Sequence, residues 1–575
     1  MYKKLFESLR EYIIPSIKAP VYVSCEVIME CVIPFIVAKL VNNIRAGSSI
    51  TDLFFYGFIL IIMAFLSLLF GILAGNACST ASCGFAKNLR SDMFKAIQNF
   101  SFENIDKFST ASLVTRLTTD VNDVQEAYMM IVRTAIRGPL MLIFSFVMAL
   151  IMGGKIALIF LLVIPIMISG LYAITRWAMP TFKILFEKYD IFNNSIQENI
   201  HAIRLVKAFV REDYEKQKFS RDSGSLCSEF TFAEKILSLN NPLAQFSLYT
   251  VTIFILYYGT YKIITNNNLD LNVGQISSLL TYSVQILGSL MRLSMVFVMI
   301  TLARESAVRI SEVLNEKSTL ENPLNPSKNI QNGDIEFENV SFSYGNNKFA
   351  LNNINLKINS GETIGILGGT GSSKTTLVQL IPRLYDTNKG SVKVSGIDVR
   401  NYDLNTLRNS VSVVLQKNEL FSGTILENLK WGDNNATENK IREVCKISCA
   451  DEFIERLPEK YNTFIEQNGK NLSGGQKQRL CLARALLKNP KIFILDDSTS
   501  AVDTHTDAKI RASLKKYLPD VTKIIIAQRI LSVKDADRII IMEGGIIQGI
   551  GTHEDLLKNN KIYGEIYLSQ NREEV

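Results

Sequence analysis

The sequence predicts two different domains in one chain, a membrane α-helical domain of six spanning helices followed by an α/β domain. Three observations lead to this fold class. Apolar residues are concentrated in the N-terminal half, in six segments that are each long enough to cross a bilayer. Strand and helix patterns alternate from residue 334 to the C-terminus. A glycine-rich turn joins an apolar strand to a helix at residues 364–378.

The composition separates the two domains. A chain of 575 residues is too long for one ordinary domain. A mean hydropathy of +0.15 is too high for a purely soluble protein, while 20% charged residues are too many for a purely membrane-embedded one. The net charge of +7 is modest, and the cations gather in loops between apolar segments. This indicates the positive-inside bias and not a nucleic-acid surface. The eight cysteines lack metal-ligand spacing, so reduced thiols are expected.

The membrane half begins with a basic, amphipathic helix over residues 1–18, expected to lie along the inner membrane surface. The first apolar segment is too long for a cleavable signal peptide. The links between spans 2 and 3 and between spans 4 and 5 are long, charged and helical in pattern, whereas the other links are short. The charge rule therefore predicts cytoplasmic termini and two long cytoplasmic loops in a multi-pass membrane protein. The predicted spans are 20–42, 53–77, 135–153, 156–178, 241–264 and 275–302.

Ionisable residues inside the spans need partners. Glu26 and Glu30 are one helical turn apart in span 1, and Arg292 lies at a similar depth late in span 6. We predict that these three charges are linked. Two further arginines, Arg133 and Arg137, flank the inner end of span 3.

Span 6 also carries a polar stripe at helical spacing. Two interpretations are equally open: the stripe lines a transport cavity, or it contains structural ion pairs and snorkelling ends. The stripe contains Thr281 and three candidate cavity residues, Gln285, Ser289 and Arg292.

The glycine-rich turn has the chemistry of a phosphate cradle. Backbone N–H groups at a helix start can converge on phosphates, Lys374 adds a positive charge, and the Thr375 hydroxyl can ligate Mg²⁺. The pattern G-x-x-x-x-G-K-[ST] is met except at Ser373, where the last glycine is expected. Taken alone, the motif could be a chance turn. The predicted contacts are Gly368, Gly369, Thr370, Gly371, Ser372, Ser373, Lys374, Thr375 and Thr376.

Two later motifs make a chance turn untenable. Residues 471–479 read NLSGGQKQR, and a buried strand, 492–497, ends in two aspartates. With these motifs the chain resembles the ATP-binding cassette (ABC) exporter half-transporters, in which a membrane domain is fused to a P-loop ATPase domain. The resemblance covers essentially the whole chain. It implies ATP and Mg²⁺ as cofactors, a second half-transporter as partner, the lipid bilayer of the cell membrane as location, and a small lipophilic substrate. It implies no nucleic-acid partner.

The resemblance also assigns roles to individual residues. Tyr344 matches the aromatic that stacks on adenine, Gln416 matches a glutamine that reaches Mg²⁺, and Asp496 matches the aspartate that holds Mg²⁺ through water. Residues 500–503 match a loop that crosses the dimer interface, and contacts to the ATPase domains are expected near 103–111 and 210–219. His505 and His553 fall outside the family's chemistry. The signature segment, which caps the ATP held by the partner, matches Leu472, Ser473, Gly474, Gly475 and Gln476.

Three positions of the local ATP site depart from the family pattern. Besides Ser373, Asp497 replaces the glutamate that polarises the attacking water, and Gln528 replaces the switch histidine. The shorter carboxylate is drawn back by more than about 1 Å, and an error of that size can cost about a hundredfold in rate. Glutamine cannot exchange protons as an imidazole does. We therefore expect this site to bind ATP and to hydrolyse it poorly.

The predicted domains are a membrane domain at 1–314, a polar linker at 315–333 and an ATPase domain at 334–575. The chain resembles the degenerate subunit of a bacterial heterodimeric multidrug exporter. Two alternatives remain open: a homodimeric lipid or peptide exporter, and a nucleotide-gated membrane regulator.

Overall fold

A computed structural model gives the architecture of the protein. The structure describes residues 2–47, 49–265, 271–345, 348–497 and 502–571. The chain divides into two compact units. The first contains the chain up to Gln98 together with Ser109–Glu316, and the second contains Asn99–Phe108 together with the chain from Lys317 onward.

The first unit is helical. A short 3₁₀ turn, Arg10–Tyr12, joins the N-terminal helix to the first long one, and residues 99–108, which belong to the second unit, contribute one short helix to the series. The helices are α1 (Tyr2–Glu7), α2 (Ile13–Arg45), α3 (Ile50–Gln98), α4 (Phe102–Phe108), α5 (Thr110–Thr115), α6 (Val121–Gly153), α7 (Ile159–His201), α8 (Ile203–Ala208), α9 (Glu212–Leu237), α10 (Asn240–Thr265) and α11 (Val273–Asn315).

Each predicted span coincides with a long helix: α2, α3, α6, α7, α10 and α11. By length and composition, four helical runs within the described residues could cross a membrane, and one of these, Thr110–Phe182, contains α6 and the first part of α7. The chain turns between them at Gly154, whose φ of +50° suits glycine. The helix α10 is not among the four because its tyrosines and threonines lower its hydropathy. The helix count therefore agrees only roughly with six spans.

The long charged links are helical, as their pattern predicts. The helices α3 and α7 continue well beyond the predicted apolar spans, to Gln98 and His201, and α9 returns along α7. The side chains of Lys188 on α7 and Glu229 on α9 form an ion pair of 2.6 Å between these two helices.

The second unit contains the following strands and helices: β1 (Ile335–Phe342), β2 (Leu351–Ile358), β3 (Thr363–Leu367), α12 (Lys374–Gln379), β4 (Lys389–Val394), β5 (Ile397–Asp398), α13 (Leu404–Ser410), β6 (Val411–Val414), β7 (Gly423–Thr424), α14 (Ile425–Lys430), α15 (Glu438–Ile447), α16 (Asp451–Ile454), β8 (Phe464–Ile465), α17 (Gly474–Leu487), β9 (Ile492–Asp496), α18 (Thr504–Tyr517), β10 (Thr522–Ile526), β11 (Arg538–Glu543), β12 (Ile546–Gly551), α19 (His553–Asn559) and α20 (Lys561–Asn571).

The central sheet of this unit has the order β12-β11-β3-β10-β9-β6. Its strands are parallel except β12, which pairs antiparallel with β11. The strand β9 is buried at every position, as expected for a parallel strand covered on both faces. An antiparallel sheet of order β2-β1-β4-β5 packs into the same core. Because parallel strands end at the same edge, the ends of β3 and β9 lie together, and functional residues gather at that edge.

The transition between the predicted domains lies between Asn315, where α11 ends, and Ile335, where β1 begins. The predicted domain of 1–314 is continuous, but the structure differs here because residues 99–108 pack with the second unit. The buried Asn104 side chain explains this difference: its Nδ2 donates to the carbonyl of Lys317, and its Oδ1 accepts from the backbone N–H of Thr319.

Candidate nucleotide-binding site

The phosphate cradle is the turn between β3 and α12, and Lys374 closes it. The Lys374 Nζ donates to the carbonyls of Gly368 and Gly369, both at 2.9 Å, and to the Ser372 hydroxyl at 3.1 Å. The ammonium is thus held across the turn, in the position where a phosphate would replace these acceptors. Burial lowers the pKa of Lys374, and the nearby carboxylates Asp496 and Asp497 oppose that shift.

A cavity of about 280 Å³ opens in front of this turn. The Thr375 hydroxyl donates to Asp496 Oδ1 at 3.1 Å, so these two groups already share one corner of the cavity. Burial raises the pKa of Asp496, and the charge of Asp497 adds to the shift. The side-chain oxygens of Thr375, Asp496 and Gln416 together form a set of ligands of the kind that Mg²⁺ prefers. The cavity is lined by residues 370–376, Gln416, Asp496, Asp497, Ile526 and Gln528.

Ser373 occupies the position where the motif expects glycine. Its φ of +68° and ψ of +23° place it in the left-handed region, and its side chain makes no capping bond to α12. The left-handed conformation costs a residue with a side chain about 1–2 kcal/mol. The backbone of the turn therefore has a conformation that suits glycine at this position, and Ser373 adopts it at the cost of strain.

The two other departures contact each other. Gln528 Nε2 donates to Asp497 Oδ2 at 2.8 Å, and both side chains line the cavity. Asp497 also has a positive φ, +47°, and its backbone N–H donates to the carbonyl of Ile526. Burial raises the pKa of Asp497, and the hydrogen bond from Gln528 opposes the shift. The side chain at the predicted water-orienting position is therefore hydrogen-bonded to the side chain at the predicted switch position.

The signature segment lies apart from this cavity, at the start of α17. Ser473 Oγ accepts from the backbone N–H of Gln476, while Gln476 Oε1 accepts from the backbone N–H of Ser473 at 2.9 Å. This reciprocal capping box fixes the helix start. Ser473 and Gly474 are exposed, and Leu472 packs on the core below. The helix start is therefore fixed by its own side chains, and Ser473 and Gly474 are accessible at the surface of the chain.

Known proteins resemble both halves of the chain. Residues 23–290 match the family described as the ABC transporter transmembrane region, and residues 351–500 match the family described as ABC transporter. An uncharacterized ABC transporter ATP-binding protein of Bacillus subtilis, YfiB, is 34% identical over 99% of this chain and 98% of its own length. This chain belongs to the ABC transporter family. It is an exporter half-transporter with fused membrane and ATPase domains.

Two further similarities agree with this assignment of the ABC transporter. The ATP-dependent lipid A-core flippase of Desulfotalea psychrophila is 33% identical over 84% of each chain. The structure of a bacterial Atm1-family ABC exporter with ATP bound superposes with a TM-score of 0.82, covering 98% of each chain. At 21% identity, the second similarity concerns the fold alone. The ATPase domain of the family implies binding of ATP with Mg²⁺ in general.

The predicted adenine-stacking tyrosine, the predicted interface loop and two histidines lie at different places in the second unit of the transporter. Tyr344 lies just beyond β1 with 48% of its surface exposed, and its hydroxyl donates to Thr376 in the cavity wall at 3.0 Å. Residues 500 and 501 of the predicted interface loop lie outside the described residues, whereas Asp503 caps α18. His505 is on α18, and His553 Nδ1 is 2.5 Å from the Tyr563 hydroxyl. Neither histidine lines the cavity.

The intramembrane charges pair differently from the prediction. Glu26 and Glu30 both bind Arg137, at 2.8 and 2.6 Å, and not Arg292. The physical reason is that α6 packs against α2 at this depth and brings Arg137 between the two carboxylates. Arg292 is exposed, and among the described residues it has no ion-pair partner. The predicted link to Arg292 was therefore wrong, although the two acids do share one cation.

The three candidate cavity residues on α11 do not share one exposed face of the helix. Ser289 is fully buried and donates to the carbonyl of Ile286, so it does not line an open surface. Gln285 is partly buried, accepting from Ser145 and donating to the Glu30 carbonyl. Arg292 alone of the three candidates is exposed. Ser289 is thus corrected to a packing residue, while Arg292 stays a candidate for a cavity surface.

The second predicted contact stretch, 210–219, lies at the start of α9 in the first unit, where Val210 is 81% exposed. Its role stays a prediction. The first stretch, 103–111, overlaps α4 in the second unit. There Tyr385, which was not among the predicted site residues, donates its hydroxyl to Asp106 at 2.8 Å. No local pattern marks a lone tyrosine in a loop, so only the fold could reveal this contact.

Proposed function

We propose that this chain is the degenerate subunit of a heterodimeric exporter of lipophilic compounds in the cell membrane. Its own ATP site binds nucleotide with Mg²⁺ and hydrolyses it weakly. Its signature segment completes the hydrolytic site of a partner half-transporter. The termini lie on the cytoplasmic side, in keeping with the cationic loops.

The observation that carries this proposal is the hydrogen bond between Asp497 and Gln528. Hydrolysis needs a carboxylate that orients water and a switch that contacts the transferring phosphate. Here both positions are substituted, and the two substitutes bind each other. Lys374, Thr375 and Asp496 remain arranged for phosphate and Mg²⁺. Binding without efficient turnover is the chemistry that this combination supports.

The signature segment supports the second half of the proposal. Ser473 and the N–H groups at the start of α17 present donors to an anion, and the helix dipole favours negative charge there. In a head-to-tail pair of ATPase domains these donors would bind the γ-phosphate held by the partner and stabilise the charge that moves in the transition state.

A homodimeric lipid exporter is the second candidate. The similarity to the lipid A-core flippase favours it, because that relative covers most of the chain at 33% identity. In that case two copies of the imperfect site would drive slow turnover. A nucleotide-gated regulator would bind ATP without moving a substrate.

One experiment separates these candidates. The full-length chain is purified from its native membrane with an affinity tag, and the subunits that accompany it are identified by mass spectrometry. A second half-transporter in equal amount, with Glu and His at the two substituted positions, is the expected result. Recovery of this chain alone, with ATPase activity and lipid movement in vesicles, would establish the homodimer. Binding of ATP with no vectorial transport by the complex would establish the regulator.

A further inference from the structure

The short helix α4 is bound within the ATPase unit by an aromatic cluster. The Phe102 ring of α4 lies 6.0 Å from the Tyr385 ring, centroid to centroid. The Tyr385 hydroxyl donates to Asp106 one turn further along the helix. Tyr385 thus contacts α4 at two points, with its ring and with its hydroxyl. The hydrogen bond sets the orientation of α4, which a purely apolar contact would not do.

The same tyrosine contacts Tyr344. The two rings meet edge to face, with centroids 5.2 Å apart and an interplanar angle of 89°. Phe342 closes the cluster, 5.5 Å from Tyr385 and 4.8 Å from Tyr344. Edge-to-face rings in this range attract each other and resist sliding. A shift of the Tyr344 ring must therefore be met by Tyr385.

Tyr344 in turn is bound to the phosphate cradle. Its hydroxyl is 3.0 Å from the Thr376 hydroxyl and 3.2 Å from Gln379 Oε1, both on α12. Thr376 lines the cavity, so the Tyr344 hydroxyl reaches the cavity wall through Thr376, and 48% of the Tyr344 surface is exposed. If the phosphates of a nucleotide fill the cradle, its adenosine part would contact Tyr344.

The loop that carries Tyr385 is held by several hydrogen bonds. The buried guanidinium of Arg383 binds both carboxylate oxygens of Asp386, at 2.8 and 3.0 Å, and also donates to the carbonyls of Glu321 and Arg400. This fork flanks Tyr385 on both sides in sequence. Burial and the bond to Asp106 raise the pKa of Tyr385, so its hydroxyl stays a donor at any physiological pH. The tyrosine cannot readily turn away from either neighbour.

We propose that Tyr385 is a positioning residue that reports nucleotide occupancy at this chain's own site to α4, through the path Tyr344, Tyr385 and Asp106. This path is called the tyrosine relay. It rests on the proposed function in one respect, that the site binds ATP. Through this relay, ATP binding alone would affect α4 without hydrolysis. The helix α4 lies in the chain between α3 and α5. A continuous chain of packed and hydrogen-bonded side chains is a physical route for such coupling.

The test measures hydrogen–deuterium exchange of the α4 amides in the purified full-length complex, with and without ATP and Mg²⁺. In the parent protein, ATP is expected to slow exchange in residues 102–108. Tyr385→Phe keeps the ring and removes the bond to Asp106. It should reduce the ATP-induced slowing by about tenfold, the effect of losing a bond to a charged acceptor, while ATP affinity changes little.

Tyr402→Phe is the matched control. Tyr402 is fully buried in the same unit, and its hydroxyl donates to the carbonyl of Val394 at 2.9 Å, away from α4. It should leave the α4 response intact. Asp106→Ala removes the other end of the relay, so combining it with Tyr385→Phe should add nothing to the loss.

The outcomes separate the relay from the function on which it rests. Absence of ATP binding in the parent protein would overturn the proposed function. Normal ATP affinity with a full α4 response in Tyr385→Phe would overturn the relay alone. The relay would likewise be overturned if ATP binds the parent protein without changing α4 exchange, or if the two variants reduce the response additively.

Discussion

The phosphate cradle and the signature segment are two loops of one domain, each ending at a helix start, and they differ in what they have kept. In the cradle Ser373 has a left-handed φ of +68°, and across the cavity Asp497 has a φ of +47°. In the signature segment the capping box of Ser473 and Gln476 is complete. Under the proposed function, this contrast means that the chain has lost hydrolytic groups of its own site and has kept the surface that it offers to the partner's nucleotide. Four predictions test it.

The largest effect is expected at the signature segment. Gly475→Glu places a carboxylate where a γ-phosphate must approach, and like charges repel strongly in a closed interface. ATP turnover of the purified complex should fall to background, whereas Asp497→Asn should retain most of it. Gly475→Gln has the same bulk without the charge and should lose less. If Asp497→Asn is as inactive as Gly475→Glu, this chain performs its own hydrolysis and the contrast is lost.

Restoring the lost groups should raise hydrolysis at the local site. The double variant Asp497→Glu with Gln528→His returns the longer carboxylate and an imidazole, and hydrolysis at this site should rise roughly a hundredfold. Vanadate-dependent trapping of a photoreactive nucleotide on this chain reads that site alone. Either single variant serves as the control. Strong trapping on the unmodified chain would show that the site was never degenerate.

Removing the cradle charge should weaken nucleotide binding without abolishing turnover of the complex. Lys374→Ala deletes a charged donor that bridges the turn, which should lower ATP affinity of this site by roughly ten- to a hundredfold. Turnover should persist because, in the proposed heterodimer, the partner's site still hydrolyses ATP. Binding of a fluorescent ATP analogue and steady-state ATPase are measured together. Turnover at background would contradict a subordinate role for this site.

The smallest effect concerns Ser373. Replacing it by glycine removes the left-handed strain, which should stabilise the fold by about 1 kcal/mol, and removes the crowding side chain, which should raise ATP affinity about fivefold. Ser395→Gly is the matched control, because Ser395 also has a left-handed φ, +50°, in a turn away from the cavity. Thermal unfolding should respond alike in both variants. An equal gain in ATP affinity from Ser395→Gly would refute a local role for Ser373.

Local motifs predicted the parts of the molecule that one segment determines. The order of strand, glycine-rich turn and helix follows from residues 364–378, and the long helices follow from apolar length. Pairing between distant segments was not predictable in the same way. Arg137 was visible in the sequence, but nothing local distinguishes it from Arg292 as the partner of Glu26. The helical period gives a stripe on α11 without fixing which side faces outward, and so Ser289 was misplaced.

The Asn104 side chain has a mechanical consequence. The chain passes between the two units at three points, after Gln98, after Phe108 and after Glu316. Asn104 lies between the first two points and is hydrogen-bonded to Lys317 and Thr319, immediately after the third. Asn104 therefore ties the segment that enters the second unit after Gln98 to the segment that enters it after Glu316. A force on either of these two segments is shared with the other, because the hydrogen bonds of one side chain join them.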